Sequence, residues 1–198
     1  MNLIFMRHGE TTDNVKEIIS DKEIYWSVLT DEGEKIVKES VKAITWEVDK
    51  IYVSPLPRTI QTAHFLCEKF PGVETIIDER IREIQYGKYS GKQNNSELDN
   101  TRIAQINGDY FIRFGDHGEN KYEIEKRLCE FLLDVKNNNF SNNTIVIVSH
   151  GSIISYMKRI LNLKSQHLST GKIDVFLDVD FSFLYKKIKE LKNVKRDK

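Results

Sequence analysis

The chain lacks the features that mark several large classes of protein. It holds only two cysteines, Cys67 and Cys129, in 198 residues. Both lie in apolar helical patterns, so buried reduced thiols are expected and a disulfide framework is not. There is no surplus of either charge, since 30 lysines and arginines balance 30 aspartates and glutamates. That balance argues against a strongly basic nucleic-acid binder or a membrane-surface binder, although a small anion pocket needs only local charge. No apolar run approaches transmembrane length, and the N-terminus shows no basic stretch leading into a long apolar segment. No signal peptide is expected, and a cytoplasmic location is the default. No internal repeat is visible. The tail "KNVKRDK" is basic and polar, and is expected to be a solvated, frayed end.

What is present fits a globular domain. Hydrophobic residues make up 39% and charged residues 30% of the chain, and residues 1–198 are long enough for a single domain with a proper core. Four β-rich runs stand out: Leu3–Met6, Lys50–Ser54, Val73–Ile77 and Thr144–Ser149. Near-continuous apolar runs such as "TIVIVS" suit strands covered on both faces. Helical patterns alternate with them. Thr30 is a candidate N-cap before the stripe Ile36, Val37, Val41 and Ile44. Further stripes run over about Leu56–Lys69, from about Asn120 to Val135, and onward from Gly151. Strands alternating with helices predict an α/β fold with a mainly parallel sheet. "KIDVFLDVDFSFLYKKI" reads as a terminal hairpin, with a helix from near Phe183 as the alternative. Residues 88–118 are polar and rich in glycine and asparagine, with a weak helical pattern, and are expected to form a lid or substrate-recognition insertion at the sheet's C-terminal edge.

Open parallel sheets bind ligands beyond the carboxyl ends of their strands. Arg7-His8-Gly9, Ser54-Pro55-Leu56-Pro57-Arg58 and His150-Gly151 all follow strands directly, and Arg80-Ile81-Arg82-Glu83 comes shortly after a fourth. Arg58 falls in the first turn of its helix, a poor place for a cation unless an anion lies between it and the helix end. Gly151 allows close approach at another helix start, whose free N–H groups can bind a phosphate oxygen. Two arginines and two histidines could therefore converge on one point. Arginine forks match phosphate oxygens, and a neutral histidine is a competent nucleophile at phosphorus. A leaving alkoxide would need a proton, and Glu83 is the nearby carboxyl group able to supply it if burial keeps it protonated.

These residues carry a resemblance. "RHGET" with Asn14 downstream, "LTDEG" at 29–33, "SPLPRTIQTA" at 54–63, "REIQYGKYSGK" at 82–92, "GENKYEIEKRL" at 118–128 and "VSHGSI" at 148–153 together resemble the histidine phosphatase superfamily, also called the phosphoglycerate mutase-like family. The motifs follow the family's order from residue 3 to about 160. The resemblance implies a three-layer αβα fold around a mainly parallel sheet. It implies His8 as the phosphorylated histidine, and Arg7, Arg58 and His150, with Gly151, as the phosphate pocket. It also implies Asn14 as a supporting donor, Glu83 as the general acid, and chemistry without a metal or other cofactor.

Other readings stand beside it. His8, His150 and Glu83 could form a two-histidine, one-carboxylate metal site, but Arg7 and Arg58 would repel the cation. A non-catalytic phospho-ligand binder would keep the arginines without needing His8 or Glu83. Glu83 could instead pair with Arg80 or Arg82. Within the family the chain is short and has no adjacent arginine pair, which favours a phosphatase acting on a small phosphorylated metabolite over a cofactor-dependent phosphoglycerate mutase. "Tyr-Ser-Gly" at 89–91 departs from that branch's aromatic-acidic-glycine run and leaves the substrate open. Tyr86, Lys88 and Tyr89 are candidates for the substrate mouth, and Arg102 and Arg113 for outer contacts, against a plain solvated face. Glu10 reads as structural. Glu119 is expected to position the helix that follows it. His64, His117 and His167 match no motif. Oligomeric state leaves no mark on the sequence.

Overall fold

The computed structural model describes residues 1–22, 27–164 and 166–194. Five strands form one sheet: β1 (Asn2–Arg7), β2 (Lys50–Val53), β3 (Glu74–Ile77), β4 (Thr144–Ser149) and β5 (Ile173–Phe176). Their order is β3-β2-β4-β1-β5, with the first four parallel and β5 antiparallel at the β1 edge. Every residue of β4, the central strand, is buried, as its unbroken apolar run requires.

Alternation along the strands sends side chains to two cores. Leu3 and Phe5 of β1 with Ile145 and Ile147 of β4 face one side. There they meet α5 (Lys121–Asn137), α6 (Gly151–Ile160) and α7 (Ser182–Asn193). Ile4 and Met6 with Val146 and Val148 face the other. There they meet Val37 and Val41 of α2 (Asp31–Lys42) and Ala63 and Leu66 of α3 (Pro57–Lys69). The expected three-layer αβα architecture follows from this division. The helix starts are fixed locally as well. Thr30 caps α2 through Gly33 N–H at 3.0 Å, and Asn120 and Glu123 form a reciprocal capping box on α5.

Two segments differ from the sequence reading. The terminal hairpin is not formed; the alternative holds, one strand followed by a helix that begins at Ser182. β5 pairs with β1, the chain turns at Asp178 (φ 49°), and α7 follows. Phe181, Leu184, Ile188 and Leu191 recur at helical spacing and pack into the α5 side of the core, and that packing overrides the local β-like alternation. The 88–118 segment holds a true helix, α4 (Ser96–Ile106), capped by Asn95. Its buried stripe is Leu98, Thr101 and Gln105; two of the three are polar, which is why the pattern looks weak. A shorter helix, α1 (Thr12–Val15), follows β1. No helix among the described residues is long and apolar enough to cross a membrane. Cys67 is half-buried and Cys129 buried, and both are free thiols. The basic tail expected to fray lies, from residue 195, outside the described residues.

Candidate active site

Strand register sets the site. Arg7 lies opposite Ser149 and Val53 opposite Val148, so the segments after β1, β2 and β4 leave the sheet at one level. His8 N–H donates to the Ser149 carbonyl (3.0 Å) and Ser54 N–H to that of Val148 (3.0 Å), carrying the ladder one residue beyond the strands. His8, Ser54, Arg58 and His150 are all buried there. Gly9 has to be glycine, since a Cβ would lie 2.8 Å from Val37 and 3.0 Å from the Gly33 carbonyl.

The hydrogen bonds define the tautomer of each histidine. His8 Nδ1 lies 2.7 Å from the Gly9 carbonyl. A carbonyl only accepts, so Nδ1 carries the proton and Nε2 is a bare lone pair. His150 is held the other way round. Arg58 donates to its Nδ1 at 3.0 Å, so its proton sits on Nε2 and is donated to Ser54 Oγ at 2.7 Å. The two rings lie 5.3 Å apart between centroids. Burial, then the Arg58 charge, pushes both imidazoles well below the usual histidine range, so both are neutral at pH 7.

Arg58 is the second residue of α3, after Pro57 at the first helical position. Its Nη2 also donates to the Ser20 carbonyl at 2.8 Å. Arg7 donates through Nη1 to the Leu168 carbonyl (3.0 Å) and to His167 Nε2 (3.1 Å), while its buried Nε has no partner among the described residues. Burial lowers the pKa of both arginines, with Glu83 opposing that shift. Gly151 gives the Arg7 guanidinium room, since a Cβ there would stand 3.2 Å from its Cζ and Nε. It also opens α6, whose cap residue His150 offers no side-chain bond to the helix N–H groups. Asn14 accepts from Thr11 N–H (3.1 Å) and Thr11 Oγ (3.0 Å) through Oδ1, which leaves its amide donor for the cavity.

Glu83 completes the set. Its Oε1 accepts Ile84 N–H at 2.9 Å, and burial raises its pKa against the opposing pull of Arg58, Ile84 N–H and Arg7. Arg80 turns away to Asp78 and Asp134, and Arg82 reaches Glu79. Arg7, His8, Asn14, Arg58 and Glu83 share a cavity of about 180 Å³ with Tyr86, Arg102 and Ser152. Beside it lies a larger chamber of about 380 Å³, reached past the shared wall of Tyr86, Arg102 and Ser152. Among the described residues no group of three or more histidine, cysteine, aspartate or glutamate side chains is placed to hold a metal ion.

The structure therefore brings His8, Arg7, Arg58, Asn14 and Glu83 onto one cavity, with His150 on Arg58 and Gly151 on Arg7. Tyr86 and Arg102 do line the mouth. Lys88 is taken up by Glu97 (2.7 Å), Tyr89 is buried in the core, and Arg113 pairs with Glu123. Glu10 accepts the Thr30 hydroxyl (3.1 Å), and Glu119 is held by Arg127 (2.7 Å). His64 pairs with Glu68 on the surface of α3. Sequence reasoning missed His167, which belongs to no motif yet touches Arg7. It also missed Ser54 as the partner of His150; the only signal for that was its place at a strand end.

The sequence model of the histidine phosphatase superfamily (branch 1) matches residues 3–175. A Hydrogenobacter thermophilus protein named as a phosphoserine phosphatase is 31% identical over 160 residues, covering 77% of this chain and 74% of that protein. A 2,3-bisphosphoglycerate-dependent phosphoglycerate mutase of Thermoplasma acidophilum is 30% identical over 128 residues, covering 64% and 62%. Among solved structures, a mutant phosphoserine phosphatase of Entamoeba histolytica in complex with phosphoserine superposes with a TM-score of 0.71 at 27% identity, covering 89% of this chain and 90% of that one.

Proposed function

Because the chain belongs to the histidine phosphatase superfamily, we propose that it is a metal-independent phosphomonoesterase that hydrolyses a small phosphorylated metabolite through phospho-His8. The observation that carries this reading is the bond from His8 Nδ1–H to the Gly9 carbonyl. It leaves the Nε2 lone pair of a neutral, buried imidazole in a cavity with Arg7, Arg58 and a raised-pKa carboxyl. Relatives named as phosphoserine phosphatases support the same reading.

In the first step His8 Nε2 attacks phosphorus, the P–O ester bond breaks, and the leaving oxygen takes the Glu83 proton. Arg7, Arg58, the Asn14 amide and the N–H groups beginning at Gly151 hold the equatorial oxygens as charge moves through them. His150 serves through its bond to Arg58, which it orients and keeps against the cavity. In the second step the Glu83 carboxylate accepts a proton from water. The water oxygen bonds to phosphorus, the N–P bond breaks, and inorganic phosphate leaves with His8 restored. The 88–118 segment acts as the substrate wall through Arg102, and a cytoplasmic setting suits such a substrate.

The test is phosphate release from a panel of phosphomonoesters in EDTA, run beside a coupled 3- to 2-phosphoglycerate assay. Release without isomerisation is expected. Isomerisation stimulated by 2,3-bisphosphoglycerate with little release would instead assign the activity that the Thermoplasma acidophilum relative is named for.

A further inference from the structure

Resting on that reading, we infer that the preferred substrate carries a second anionic group at the far end of its alcohol moiety, and that Arg159 and Arg102 recognise it. The larger chamber adjoins the catalytic cavity along the wall of Tyr86, Arg102 and Ser152, and gives a leaving group room when its phosphoryl group is against His8. At about 380 Å³ it is within the usual range of small-molecule sites. Its walls have a definite chemistry. Ile84, Ile106 and Phe114 give it an apolar side, and Ile106 is 70% exposed there. Among the described residues, the charged side chains on its lining are Arg102 and Arg159; the carboxylate nearest Arg102, Asp99, bonds its Nη1 and is not part of the lining.

The two arginines are differently placed. Arg102 stands on the wall shared with the catalytic cavity, anchored through Nη1 to Asp99 (2.8 Å) and Asn94 (2.7 Å). Arg159 lies further out, on α6, with its guanidinium 4.4 Å from the Tyr156 ring centroid. Stacking on an aromatic face fixes the plane of the fork and leaves its N–H edge for a ligand. Glu125, which lines the neighbouring cavity behind Arg159, is engaged by Lys187 (3.5 Å). Ser152 and Ser155 add hydroxyl groups to the same chamber. A cationic rim over an apolar wall, with no acidic residue on the described lining, selects an anion at the distal end and repels a cation there.

Three aryl phosphates with similar leaving groups separate this inference from the hydrolase reading: 4-methylphenyl phosphate and its 4-(carboxymethyl) and 4-(aminomethyl) counterparts. Wild-type kcat/KM is expected to favour the carboxymethyl ester over the methyl ester by about tenfold, with the aminomethyl ester lowest. Arg159→Gln and Arg102→Gln are each expected to shrink the carboxymethyl-to-methyl ratio to about threefold or less, while Arg159→Lys keeps most of it. A merely structural effect would lower all three esters together and leave the ratio unchanged. A flat or reversed order in the wild type, or a ratio that survives in both glutamine variants, overturns the inference. Failure to turn over any of the three esters overturns the phosphomonoesterase reading and this inference with it, whereas turnover with a flat order overturns this inference alone.

Discussion

The floor and the mouth of the cavity are built by different means. On the floor, His8, Ser54, Arg58 and His150 are buried, and their side chains bond to loop carbonyls or to one another. At the mouth, the outer face of α4 carries exposed ion pairs, Glu97 with Lys88 outside the helix and Arg102 with Asp99 within it, and Ile103 and Ile106 face outward. Buried bonds in a low-dielectric setting fix geometry and protonation, whereas exposed pairs contribute little and rearrange readily. On the proposed mechanism the reacting group is held rigidly, while the surface assigned to the rest of the substrate can be altered at small cost to the fold. That division would separate chemistry from substrate choice.

The comparison is most sharply tested on the floor. His8→Ala is expected to lower turnover of every ester about a thousandfold or more, with thermal unfolding nearly unchanged. A well-folded variant keeping more than about a tenth of wild-type activity would contradict the nucleophile assignment. Glu83→Gln is next: a loss of about 10²–10⁴-fold on alkyl phosphates, but less than about tenfold on 4-nitrophenyl phosphate, whose oxide leaves unprotonated. The pH profile of kcat/KM follows the same logic. His8 loses its lone pair only when the pH falls through a pKa well below the usual histidine value. Glu83 loses its proton as the pH rises through a pKa above the usual glutamate value. Alkyl phosphates should therefore show an alkaline limb that 4-nitrophenyl phosphate lacks; the same limb with both would argue against Glu83 as the acid.

Smaller effects are expected away from the reacting atoms. Gly33→Ala puts a Cβ 2.3 Å from the Glu10 carbonyl. It should cost about 1–3 kcal/mol in denaturant unfolding, because α2 must shift from the loop that carries His8. His167→Ala removes one acceptor from Arg7 and should raise KM about threefold to tenfold across all esters. At the mouth, Lys88→Ala breaks an exposed pair and should leave the unfolding midpoint and the 4-nitrophenyl phosphate rate unchanged. A large stability loss there would show that the mouth is built like the floor.

The floor was also the more legible region. "TIVIVS", Thr30 and Asn120 announce a buried strand and two helix starts by local chemistry alone, and Arg7, His8, Arg58 and His150 follow directly from strand ends. Glu83 follows from its place shortly after a strand and the need for a proton donor, whereas Asn14 needed the ordered motifs. The mouth was harder to read because its helix buries Thr101 and Gln105 in place of apolar residues, which weakens the periodicity. His167 was illegible because its contact with Arg7 spans 160 positions and depends on the return of the chain from α6 to β5. The tautomers of His8 and His150 likewise depend on which atoms face them, something no spacing records.

The most direct test of the account is rapid acid-free quenching of the enzyme during turnover of a ³²P-labelled phosphomonoester, followed by peptide mapping. The account predicts a transient, acid-labile and base-stable label on the peptide carrying His8, absent from His8→Ala. Label on a different residue, or rapid phosphate release with none trapped at any time, would contradict it.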